Sequence, residues 1–134
     1  MKIADIKLHV FEVETPGYVT SFSGLSKEGR PPAFQYSLVR VITDEGIEGD
    51  YIVWSEMPNA RPQPLAEALR AYKSYLIGEN PLNREKIWQK LGGLWYGQKG
   101  PAFAAVDIAL WDIAGKAANQ PLYKLLGACR EKTS

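Results

Sequence analysis

The chain has 134 residues, 46% of them hydrophobic with four tryptophans, enough for one domain to bury a core rather than remain disordered. Sixteen basic and fifteen acidic residues leave a formal charge of +1 with no basic run, which disfavours binding to a phosphate backbone. Cys129 and His9 are each the only one of their kind, so an internal disulfide, a thiolate metal cluster and a histidine cluster are all excluded.

The N-terminus alternates polar and apolar residues instead of carrying an apolar signal core, and no run approaches the length of a membrane span. No membrane partner is expected, and the cytoplasm is the default location. Residues 3 to 13 predict a half-buried strand, with Ala4, Ile6, Leu8 and Val10 on one face and Asp5, Lys7 and His9 on the other. His9 therefore reads as a strand-surface residue rather than the base of a catalytic triad.

Residues 14 to 33 are rich in Gly, Pro and Ser and too long for a simple connection, and their aromatics Tyr18 and Phe22 argue for more than a linker. A second strand runs from Phe34 to about Thr43, with Arg40 interrupting one apolar face and so needing solvent or a carboxylate. Asp44, Glu45 and Gly46 signal a tight turn, and Ile47 to Trp54 form the return strand of a hairpin. Gly49 weakens that strand and is expected to mark a bulge. The result is a three-stranded antiparallel meander.

After an irregular stretch from Ser55 to Pro64, a helix places Leu65, Ala68, Leu69, Tyr72 and Leu76 on one stripe, with Gly78 as its cap. Asn80 and Pro81 restart the chain as a helix whose apolar positions are Ile87, Trp88, Leu91 and Trp95. Glycines at 92, 93, 97 and 100 then break regularity; they lack the spacing and the preceding strand of a phosphate-binding loop. From Pro101 to about Asn119 runs a third helix with only Asp107, Asp112 and Lys116 charged. A helix apolar over most of its circumference must be covered on several sides, and Ala105, Ala109, Ala114, Gly115 and Ala118 would let another backbone approach closely. A short apolar turn, Leu122 to Leu126, stops at Gly127.

The fold class is thus α+β, a meander followed by a helical layer. Asp44, Glu45, Glu48 and Asp50 read as a solvated hairpin rather than a metal cage. Asp107 is expected to fasten its helix to a neighbouring backbone segment, because an unpaired buried charge is costly. Asp112 and Lys116 read as an exposed pair worth about 0.2–0.5 kcal/mol. Trp88, Trp95 and Trp111 read as core.

The segment AAVDIALWDIAGKAANQPLYKLLG, with GIEGDYIVW upstream, resembles the N-terminal capping domain of the mandelate racemase and muconate lactonizing enzyme group of the enolase superfamily. The resemblance implies a capping domain over residues 1–127, with residues 128–134 starting a linker to a C-terminal (β/α) barrel absent from this chain. It implies a magnesium-dependent parent enzyme that removes a proton α to a carboxylate, an acid-sugar dehydratase first and a racemase or cycloisomerase next. Magnesium, the catalytic base and the metal ligands would belong to the barrel, so no catalytic or metal residue is assigned here, and the chain by itself is expected to be inactive. The loops after the first and third strands select substrate in that family, which carries a substrate-binding role to Tyr18, Phe22, Trp54 and Arg61. The expected partners are the barrel, a small carboxylate such as an acid sugar, and further copies in a homo-oligomer. The alternative is an inactive stand-alone dimerisation or binding module.

Overall fold

A computed structural model describes residues 1–14, 33–54, 63–93 and 100–128. Three strands, β1 (Ile3–Glu14), β2 (Ala33–Thr43) and β3 (Glu48–Trp54), form an antiparallel sheet in the order β1-β2-β3. Four helices follow: α1 (Gln63–Leu76), α2 (Arg84–Gly92), α3 (Pro101–Ala117) and the single turn α4 (Leu122–Leu125). The expected α+β order is therefore present.

Alternation along the sheet sends Ile6, Val39 and Val41 to the helices, and each is buried. In β1 the pattern departs from simple alternation. Ile3 pairs with Thr43 while Asp5 pairs with Ile42, so Ala4 is an extra residue in a β-bulge, and Ile3 and Ile6 both enter the core. Ala4 is exposed, contrary to the face assigned to it, and Val10 is also exposed because the helical layer does not reach that far along the strand.

The β2–β3 turn closes as its residues suggest. Gly46 donates its N–H to the Thr43 carbonyl at 3.2 Å and takes φ of +82°, a left-handed conformation that glycine adopts without Cβ strain. The Thr43 hydroxyl donates to the Ile47 carbonyl at 2.8 Å and accepts the Ile47 N–H at 3.0 Å, so the turn closes on side chain as well as backbone.

Gly49 does not mark a bulge, since β2 and β3 stay in register through Val41 and Gly49. Its reason is α3, which lies directly on the strand at this point. Nine residues of α3 are buried, among them Val106, Ala109, Leu110 and Ile113, and the helix packs on β2 and β3 with α1, α2 and α4 at its flanks. Each fully buried Leu or Ile of this kind stabilises the fold by about 1.5–3 kcal/mol. Between its exposed ends at Pro101 and at Lys116 and Ala117, α3 leaves partly uncovered a stripe of Ala104, Asp107, Ile108, Trp111 and Asp112, less apolar surface than its composition implies.

Lys116 and Asp112 do more than pair with each other. Asp112 accepts the backbone N–H of Asp50 at 3.0 Å, and Lys116 donates to the Glu48 carbonyl at 2.7 Å. These backbone groups lie on the edge of β3 that faces away from β2, so two side chains of α3 supply the partners that a fourth strand would. The fastener expected of Asp107 is thus Asp112.

Gly78 has the expected left-handed φ, +84°, but its N–H bonds to the Ile3 carbonyl at 2.8 Å instead of to its own helix, while Ile3 donates back to Glu79 at 2.9 Å. The end of α1 thereby secures the start of β1. Pro81 does not begin α2: the Asn80 side chain accepts the Leu82 N–H at 2.9 Å, the chain turns once more, and the helix starts at Arg84. Ile87 and Leu91 are core, Trp88 and Trp111 are only partly covered, and Trp95 lies outside the described residues.

Candidate functional site

The chain enters residues 15–32 and 55–62 from the same end of the sheet. Phe11 pairs with Tyr36, and Tyr36 in turn pairs with Trp54, so β1 and β3 end on the same side of the sheet, with β1 and β2 running three residue pairs further, to Glu14 and Ala33. The chain into residues 15–32, which carry Tyr18 and Phe22, and the chain into residues 55–62, which carry Arg61, depart from this shared border. Tyr18, Phe22 and Arg61 themselves lie outside the described residues, and Trp54 is described by its backbone, the last of β3.

The border is built from aromatic residues. The rings of Phe11 and Tyr36 stack at 5.7 Å with 14° between their planes on the sheet face turned away from the helices, and Phe11 is 42% exposed. Val13 and Ile52 add exposed apolar area to the same face. Sequence reading missed this pair, although register was the available signal: positions 11 and 36 face each other once the hairpin is drawn.

The same end of the domain carries a cleft. Because Lys116 reaches Glu48 and Asp112 reaches Asp50, α3 runs antiparallel to β3 and its N-terminus points towards the Trp54 end. There Gly100, Pro101 and Ala102 face Pro64, Leu65, Ala68 and Tyr72 of α1 across a space of about 320 Å³, with Glu67 on the rim. Burial pushes the Tyr72 phenol up, so its hydroxyl stays protonated. The surface is suited to excluding water and to seating apolar atoms. Among the described residues it holds no paired acid and base.

The hairpin acids are occupied in structure. Arg40 donates to both carboxylate oxygens of Asp50, at 2.7 and 2.9 Å, and lies 3.0 Å from Glu48, which answers its need for a carboxylate. The guanidinium holds the Asp50 carboxyl below the usual range. Asp44 accepts the Lys2 backbone N–H at 2.7 Å, and Glu45 pairs with the N-terminal ammonium. Among the described residues no three His, Cys, Asp or Glu come together in a way that could hold a metal, so these residues do not fit a magnesium site. His9 sits exposed in β1 opposite Leu38, a strand-surface position as expected. No helix among the described residues is long and apolar enough to cross a membrane.

Asp107 faces a second depression, between α2 and α3. The guanidinium carbon of Arg84 lies 3.6 Å from the centre of the Trp111 ring, one helical turn from Asp107. Burial pushes the Asp107 carboxyl above the usual carboxylate range; Arg84 opposes this and Glu85 adds to it.

Comparison with known proteins agrees with this architecture. The profile of the family described as Mandelate racemase / muconate lactonizing enzyme, N-terminal domain, matches residues 6–127. A D-galactonate dehydratase family member, RspA of Cellvibrio japonicus (strain Ueda107), is 39% identical over 101 residues, covering 72% of this chain and 24% of its own. Among solved structures, L-talarate dehydratase from Polaromonas sp. JS666, complexed with Mg and L-glucarate, superposes with a TM-score of 0.77 at 26% identity, over 97% of this chain and 36% of that one. Dipeptide epimerase from Enterococcus faecalis V583, complexed with Mg and the dipeptide L-Leu-L-Tyr, gives 0.73 at 26% identity, over 95% and 35%. The chain thus spans about a quarter of the length of the curated relatives it matches.

Proposed function

This chain belongs to the mandelate racemase and muconate lactonizing enzyme family of the enolase superfamily, as its N-terminal domain, and from that premise we propose that it caps the barrel of a magnesium-dependent enzyme acting on an acid sugar. The observation that carries the proposal is the register of Phe11, Tyr36 and Trp54, which puts the end of β1, the start of β2 and the end of β3 on one side of the domain, where the chain enters residues 15–32 and 55–62. A cap needs its specificity elements at one end, over the mouth of the partner, and strand ends that share one side of the sheet support this reading.

In this reading the barrel carries the base and the magnesium ion, which stabilises the enediolate formed when the proton α to the carboxylate is removed. The cap contributes binding. Tyr18, Phe22 and Trp54 exclude water from the closed site, and Arg61 grips a carboxylate or hydroxyl groups. The enzyme works in the cytoplasm as a homo-oligomer. Dehydration is favoured over racemisation or cycloisomerisation because relatives are named as galactonate and talarate dehydratases.

The polypeptide joining this domain to its barrel, supplied with magnesium and a panel of acid sugars, should form 2-keto-3-deoxy products. Arg61→Met should lower kcat/KM by about tenfold or more through the lost charge-assisted hydrogen bonds. Trp54→Ala should change the ranking of substrates. Full activity on the same sugars from the barrel expressed without this domain would refute the capping role.

A further inference from the structure

The groove between α2 and α3 holds an acid that the described chain leaves without a partner. Asp107 accepts no hydrogen bond and forms no ion pair among the described residues, although it is half-buried on a mostly apolar helix. Arg84, the described cation that acts on it, is laid over the Trp111 ring and reaches Asp107 only through space. The other charges here are committed elsewhere or have the wrong sign. Lys86 pairs with Glu79 at 2.9 Å, and Glu85, which accepts from Gln89 at 3.0 Å, is itself negative. Asp107 is thus left without a cation in contact with it, beside the face of an indole.

That combination, a desolvated carboxylate next to an aromatic ring, is the chemistry that binds guanidinium or ammonium. We propose that this groove receives a cationic side chain of the barrel domain, which pairs with Asp107 and joins Arg84 at Trp111, so that α3 is pinned to the barrel through charge as well as apolar contact. The proposal rests on the capping reading, because the barrel is the occupant. The chain spans only about a quarter to a third of its relatives, and the groove lies on the stripe of α3 that its own sheet and flanking helices do not cover. A carboxylate left unpaired on that stripe is costly in the domain alone and is stabilised once a cation arrives.

The 134-residue chain is titrated with N-acetylarginine amide and, as the neutral isostere, N-acetylcitrulline amide, while the Trp111 indole N–H is followed by NMR. A saturable shift is expected with the arginine compound, weakened about tenfold or more in Asp107→Asn, and none with citrulline. In the polypeptide that includes the barrel the same probe should no longer bind, and the Asp107 carboxyl should titrate below the usual range. Absence of saturation below about 100 mM overturns the cation site, as does an equal response to citrulline or in Asp107→Asn. Undiminished probe binding in the longer polypeptide, or Asp107 still titrating high there, overturns the barrel as occupant and points to a second copy or a free cation. Amide dispersion in the same spectra reports folding of each variant. Failure of the capping reading shows separately, as a reading frame that encodes no barrel, while the titration of this chain still reports on the groove.

Discussion

Gly49 of β3 lies so close to Ala109 of α3 that a Cβ built on the glycine would stand 2.0 Å from the Ala109 carbonyl oxygen and 2.7 Å from Cγ1 of Ile113. The obstacle is helix backbone, which cannot swing aside as a long side chain would. Gly49→Ala should therefore destabilise the domain by about 3 kcal/mol, measured as a lowered urea midpoint. Gly92, on the last turn of α2, has open space around its Cβ position, so Gly92→Ala should stabilise by about 0.5–1 kcal/mol. Equal effects from the two changes would mean that strand and helix are not in this contact.

The strap from α3 to the edge of β3 makes a local prediction. Asp112→Ala removes the acceptor of the Asp50 N–H and the partner of Lys116, and should cost about 1–3 kcal/mol, more than an exposed pair contributes. Hydrogen exchange at the Asp50 amide is the direct measurement. It should be slow in the parent chain and accelerate in the variant more than the global loss of stability accounts for.

Acid should reveal Glu79. Two ammonium groups, Lys90 at 2.8 Å and Lys86 at 2.9 Å, hold its carboxyl down from 4.5 to about 2. A depressed carboxyl contributes stability above its unfolded value, and that contribution is lost as pH falls through the folded value. The stability difference between the parent chain and Glu79→Gln should be constant above about pH 5, shrink between about 4.5 and 2, and vanish below that. A difference that persists at pH 2 would show that the glutamate acts through something other than its charge.

Asp107 has the opposite sign. Burial raises its carboxyl, so the folded chain prefers the protonated form, and stability from this group is present at low pH and lost as pH rises through the raised value. In the 134-residue chain, Asp107→Asn should raise the thermal midpoint at pH 7 and leave it unchanged at pH 3. A destabilising effect at pH 7 would indicate an ion pair that the described geometry does not contain.

Periodicity and turn residues by themselves determined the order of strands and helices, the apolar stripe of Leu69, Tyr72 and Leu76, the tight turn at Asp44, Glu45 and Gly46, and a central helix rich enough in alanine to admit a close neighbour. The family came from the residues themselves, through the resemblance of the run from Ala104 to Gly127. What periodicity could not decide was which element meets which. Gly49 signals a weak strand equally well whether the cause is a bulge or a helix resting on it, and only the packing of α3 selects the second. The sequence favours Asp107 over Asp112 as the fastener of α3, until the open edge of β3 takes Asp112 and Trp111 takes Arg84 away from Asp107. These outcomes depend on contacts across more than twenty residues of separation, some across sixty, and a repeat of 2 or 3.6 specifies which way a side chain faces but not what it finds there.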